Sequence, residues 1–191
     1  MILTLGILVG ALLIGLLLKG SFRNLAELKL RYWGLALVGY GLQVAPYPES
    51  WGRDLPIAML LLSFALLLAF ALANLRQPGF WLVIAGVLMN FTVIAANWGM
   101  PVSAEALIAS DQEDVLAELR LEPGQKHHLA TGEDSLRFLG DVIPIPDPVH
   151  LTISAGDIAL YIGVANLIVV RMRRNRETPS PEPARSSSSG T

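Results

Sequence analysis

The residues able to do chemistry crowd into one stretch, from Asn90 to Asp157. Two of its aspartates, Asp141 and Asp157, each follow a glycine. A turn that brought them together would leave one carboxyl protonated by the charge of the other, the arrangement with which an aspartic hydrolase activates water. Asp157 also completes Ser154-x-x-Asp157, in which the serine and the acid of a first helical turn cap each other's backbone N–H groups. As a cap it needs no partner at position 141. On that reading Asp157→Asn keeps an oxygen acceptor and is mild, whereas Ser154→Ala removes half of the cap at a cost of about 1 kcal/mol. Asp141, in Gly-Asp-Val-Ile-Pro, fits equally a turn residue that bonds its own backbone.

Three histidines lie in the same stretch, His127, His128 and His150, and their ring nitrogens could join nearby carboxylates around a divalent cation. Adjacent histidines diverge in both helix and extended chain, and no His-x-x-x-His or Glu-x-x-His spacing is present, so no metal site is expected. Asn90 and Asn97 are seven residues apart, nearly two helical turns, and share one stripe that must face protein or a wet cavity rather than lipid. The candidate binding residues are therefore Asn90, Asn97, His127 and His128. The candidate catalytic pair, Asp141 and Asp157, falls short of a complete catalytic motif. Gly-rich phosphate loops, a nucleophile elbow and nucleic-acid modules are all missing, which leaves no expectation of a cofactor or a nucleic-acid partner.

Apolar blocks must position these residues. The 191-residue chain is 53% hydrophobic and 16% charged, with a mean hydropathy of +0.52, too apolar for an ordinary soluble domain. Five segments read as spans, at about 1–18, 30–46, 55–75, 80–96 and 154–170. The first has no basic residue ahead of it and no small-x-small site after it, so it is expected to be retained and not cleaved as a signal peptide. The second is the shortest, held between Arg31 and Pro46, with Tyr47 and Trp51 as aromatic anchors.

Charge is segregated along the chain. The region 97–153 carries ten acidic and three basic residues, whereas ten of the fourteen Lys and Arg flank the other ends of the spans. The positive-inside bias then predicts an outside N-terminus, an extracytoplasmic cap between spans four and five, and a cytoplasmic C-terminus in a plasma membrane. Within the cap, Ser110 and Glu113 form a capping-box pattern ahead of Val115, Leu116, Leu119 and Leu121, and predict a short amphipathic helix. Pro144, Pro146 and Pro148 predict extended backbone after it. Residues 172–191 lack the apolar content to fold and read as a disordered tail. The fold class is thus an all-α integral membrane protein, a five-helix membrane domain over 1–171 with a partly helical cap. Cysteine is absent, which excludes disulfides and thiolate chemistry.

Taken together, Asn97-Trp98-Gly99-Met100-Pro101-Val102, His127-His128-Leu129, Leu139-Gly140-Asp141-Val142-Ile143-Pro144 and Ser154-Ala155-Gly156-Asp157 resemble a family of small bacterial multi-pass membrane proteins catalogued only as a domain of unknown function. Trp98 stands where that family usually has a second glycine. The resemblance carries no activity. A fainter similarity is to lipoprotein signal peptidase, an intramembrane aspartic protease, through Gly-Asp-Val-Ile and an aspartate opening the last span. That enzyme type has an even number of spans and an Asn-x-x-Asp context that Ile153-Ser154-Ala155-Gly156-Asp157 does not reproduce. The leading expectation is a non-enzymatic protein of the lipid bilayer whose acidic cap binds a ligand, a membrane-protein partner or a second copy of itself. The alternatives are a membrane-embedded aspartic hydrolase and a small-solute transporter lined by the Asn90 and Asn97 stripe.

Overall fold

The computed structural model describes residues 2–173. Its order is α1 (Ile2–Leu17), α2 (Phe22–Ala26), α3 (Trp33–Val44), α4 (Asp54–Ala73), α5 (Phe80–Asn97), β1 (Met100–Val102), α6 (Ala104–Ala109), α7 (Glu113–Leu121), β2 (His127–Leu129), β3 (Ile143–Ile145), β4 (Leu151–Ile153) and α8 (Ala155–Arg173). Among the described residues three helices, α4, α5 and α8, are long and apolar enough to cross a membrane. The other two apolar helices, α1 and α3, have 16 and 12 residues. α3 starts later than the expected 30 because the chain at Arg31 is held in a different way: the Asn74 side chain accepts from Arg31 N–H and donates to Arg31 C=O, both at 2.9 Å. α8 runs past the expected 170, through Met172 and Arg173. Met172 is fully buried against Gly15 and Gly20, and its carbonyl accepts from Ser21 N and Asn24 Nδ2. The rest of the expected tail, 174–191, lies outside the described residues.

The long helices pack backbone to backbone. A Cβ on Gly86 would strike the Gly156 carbonyl, and one on Gly163 would come within 2.8 Å of the Gly79 carbonyl and the Val83 side chain. Small residues bring α5 and α8 together where apolar burial alone cannot drive helices to associate in hydrocarbon. α4 closes the other side, through Ile57, Leu60 and Phe64 against Val87, Val93 and Ile94. The outer faces of α1 and α3 leave Leu5, Val9, Leu13, Leu37, Val38 and Val44 uncovered. So much contiguous exposed hydrocarbon suits lipid and not water.

The all-α expectation needs correction in the cap, which holds four short strands. β1 and β2 are parallel, with Met100 opposite His127 and Val102 opposite Leu129. β3 and β4 are antiparallel, with Ile143 opposite Ile153. Prolines at 101 and 144 hold the chain extended and withdraw N–H groups from any helix. The capping pattern at Ser110 is also corrected. Its hydroxyl donates back to Ala106 C=O at 2.8 Å and ends α6, while α7 begins from Gln112 with no side-chain cap. α6 uses up Ser110 because Ser103 had already started that helix, accepting from Ala106 N at 3.2 Å.

The cap is tied to one end of the helices by polar bonds from both sides of it. Lys126 Nζ donates to Gln43 C=O at 2.7 Å, Arg53 Nε to Gly124 C=O at 2.9 Å, and Trp98 Nε1 to Asp54 Oδ1 at 2.8 Å.

Candidate functional site

Where α5, the start of α8 and the cap meet, polar side chains are buried together. Ser154 is fully buried and Asn90 is 3% exposed. Asp157 Oδ2 accepts from Ser154 N at 3.0 Å, and Asp157 N donates to Ser154 Oγ at 3.0 Å, which is the reciprocal cap read from the spacing. The structure adds a third member from another helix. Asn90 Nδ2 donates to Asp157 Oδ1 at 2.9 Å, and the Ser154 hydroxyl faces both Asn90 Oδ1 at 2.9 Å and Asp157 Oδ2 at 2.8 Å. One hydroxyl hydrogen is shared between these two oxygens. Gly156 makes the approach possible, because a Cβ there would run into Asn90 Oδ1.

Asp141 stands beside this cluster, 8% exposed. Its backbone bridges the free edge of β1, donating to Pro101 C=O and accepting from Ser103 N, both at 3.0 Å. Burial, and then the charge of Asp157, push its carboxyl up to about 8, so it is largely protonated at neutral pH. The two aspartates singled out by the glycines before them are thus electrostatic neighbours. Asp157 is tied at both oxygens, while Asp141 makes no side-chain hydrogen bond among the described residues.

His127, at the start of β2, brings Nε2 to 3.9 Å from Asp141 Oδ2. That is beyond hydrogen-bond reach. Burial lowers the imidazole pKa first, with the charges of Lys126 and His128 adding to it and Asp157 opposing. A neutral imidazole beside a neutral carboxylic acid is therefore the resting pair, and not an ion pair. Half of the His127 side chain, 52%, stays accessible. It faces a cavity of about 310 Å³ under α7, whose wall is Val102, Leu107, Val115, Leu119 and Leu151. Its polar end is made by Asp141, His127, Gln112, Glu118 and Thr152.

The remaining predicted residues go elsewhere. Asn97 Nδ2 donates to Val93 C=O and Ser135 C=O while its Oδ1 accepts from Ser135 N at 2.7 Å, so it pins the cap and does not continue a lining with Asn90. His128 points away from His127 to Asp134, at 2.9 Å. His150 meets Asp111 and Asp147 at the surface. No group of three His, Cys, Asp or Glu suited to a metal ion exists among the described residues. Sequence reasoning missed Gln112, Glu118 and Thr152, since nothing in their spacing connects the start and middle of α7 to β4. The capping-box signal did mark Ser154.

Residues 27–169 match a family of unknown function (DUF5317), a region that takes in every residue of this site and leaves out α1. The chain is also 32% identical over 162 residues to an uncharacterized protein of Thermotoga maritima, covering 82% of this chain and 85% of that one. No solved structure matches it.

Proposed function

The chain belongs to DUF5317, a family of unknown function, so its role has to be read from the site, and we propose that it is a membrane-integrated binding protein whose cap takes a small amphipathic molecule. In this reading all five apolar helices enter the plasma membrane, the N-terminus and the cap lie outside, and the C-terminus is cytoplasmic. The distribution of Lys and Arg supports that orientation. The observation that carries the binding role is the 310 Å³ cavity, apolar along one side and ending at a buried carboxyl held near pKa 8. With Asp141 protonated and His127 neutral, the polar end offers uncharged hydrogen-bonding groups from Asp141, His127, Gln112 and Thr152 beside the carboxyl group of Glu118. It suits a carbonyl, hydroxyl or amide on an apolar body better than an anion.

Native mass spectrometry of the full chain released from membranes tests this. The wild type is expected to retain a small molecule that Thr152→Trp, which fills the cavity, loses while its melting temperature is kept. An empty wild type, or equal retention by both, would sink the reading.

A second reading, an aspartic hydrolase using Asp141 and Asp157, is favoured by the raised pKa of Asp141 beside a second carboxylate. Against it stands the engagement of Asp157 at both oxygens, which leaves that side chain no hand for a water molecule. Asp141→Asn separates the two. An amide still donates a hydrogen bond, so binding persists, whereas an aspartic mechanism is abolished.

A further inference from the structure

On another side of α7 lies a cleft of about 410 Å³ whose character is opposite to that of the acidic cap around it. Its polar lining comes from Arg53, Arg120, His128, Thr131 and Asn97, and no carboxylate lines it. Leu119, Leu121 and Leu129 form an apolar side, and Leu121 is 85% exposed. The nearby acids are engaged elsewhere. Asp54 accepts from Trp98, and Asp134 accepts from His128 and from the Thr131 N–H and hydroxyl.

Two buried nitrogens here have no hydrogen-bond partner, Arg53 Nη2 and His128 Nδ1. They converge on one point over Gly99, where a Cβ would sit 3.0 Å from the first and 3.1 Å from the second. Arg53 is held in place by its Nε bond to Gly124 C=O. The Asp134 contact at 2.9 Å puts a hydrogen on His128 Nε2 and leaves Nδ1 turned towards the arginine. The lone pair on Nδ1 accepts and does not donate, so the hydrogen left for an oxyanion here is the unpaired one on Arg53 Nη2. Arg53 also immediately precedes α4, at the level of Trp51 and Trp98, which is where aromatic side chains meet headgroups on a membrane protein.

We propose that this cleft binds a phosphoryl group. Arg53 donates to its oxygens beside the His128 ring, Arg120 closes over it from α7, and Leu119, Leu121 and Leu129 receive adjoining hydrocarbon. A lipid headgroup and a free phosphate share this chemistry. The site shares only Leu119 with the cavity at Asp141 and none of its polar groups, so either reading can fail without the other.

The test uses the full chain in phosphatidylcholine nanodiscs, with phosphatidic acid added to the disc or inorganic phosphate added to the buffer, read by melting temperature and by titration. Phosphatidic acid is expected to raise the wild-type melting temperature and to bind about tenfold or more tightly than it binds Arg53→Gln or Arg120→Gln. Arg76→Gln, at the opposite end of the helices, should respond as the wild type does. Because Arg53→Gln also frees Gly124 and can unfold the cap, Arg120→Gln, whose exposed side chain holds no other element, keeps the test decisive. A response to phosphatidic acid alone identifies a lipid headgroup, and one to inorganic phosphate as well identifies a free phosphoryl ligand. No response to either overturns the proposal, as does a response that Arg76→Gln weakens as much as Arg120→Gln does.

Discussion

Asp141 keeps its proton because ionising it would place a second negative charge in a dry place beside Asp157, and this has a consequence for stability. Its folded pKa, about 8, lies above its ordinary value of 3.8, so between those limits the folded chain holds a proton that the unfolded chain has released. The stabilisation is complete below the lower limit and is lost as pH rises towards the upper one, by at most about 1.4 kcal/mol per pH unit. His127 has the opposite slope, since its pKa is lowered from 6.5, but that slope acts only below its ordinary value. Between pH 6.5 and 8 the melting temperature should therefore fall in the wild type and stay level in Asp141→Asn. Identical slopes in a fluorimetric melt would place the proton elsewhere. The neighbouring cap behaves differently from a two-residue box. Asp157→Asn, mild if the residue only caps, now puts an amide against the buried Ser154 N–H or breaks the Asn90 bond. It should cost about 1–3 kcal/mol, as should Ser154→Ala and Asn90→Ala. A double-mutant cycle between Ser154→Ala and Asn90→Ala should return a coupling of about 0.5–3 kcal/mol; additive losses would show that the three side chains do not act as one unit.

At the scale of elements, the site exists because α5 and α8 approach closely enough for a short amide to cross between them. Gly79, Gly86, Gly156 and Gly163 set that distance, through contacts that leave no room for a methyl group. Gly163→Ala should lower stability in detergent by about 1–3 kcal/mol, the usual range for forcing an extra carbon into a packed contact. Gly34→Ala, on α3 where a Cβ would meet nothing within 4 Å, should be neutral or stabilising by up to about 1 kcal/mol. Melting curves of the two variants measure the contrast. A Gly163→Ala protein as stable as Gly34→Ala would mean that the helices are not locked together at this seam.

For the whole molecule, the arrangement puts every residue lining the 310 Å³ cavity at one end of the helices and Asn74, Gln77 and Arg171 at the other. Orientation can be measured directly because the chain has no cysteine. Ser110 is a poor labelling position, being fully buried, but Glu113 and Glu133 are exposed on the cap and Arg76 is exposed at the far end. Glu113→Cys and Glu133→Cys should react with an impermeant thiol reagent in intact cells, and Arg76→Cys and Ser187→Cys should not. Labelling confined to the last two would invert the topology.

The sequence alone determined the properties that depend on neighbours along the chain. Long runs without charge marked the helices, prolines marked the extended pieces, and a serine three residues before an aspartate marked the start of α8. The carboxylates were recognisable as a pair only as one of two alternatives, because a glycine before each says that the chain can turn there and not where it goes. Tertiary structure decided the rest. The parallel register of β1 and β2 sets His127 beside Asp141, glycine seams set Asn90 against Asp157, and docking of the cap points Arg53 and His128 at the same glycine. Each of these joins residues separated by 14 to 75 positions, and Asn90 and Asp157 alone are 67 apart. Local spacing carries no information about such distances, whereas packing, which allows only one fit of these surfaces, does.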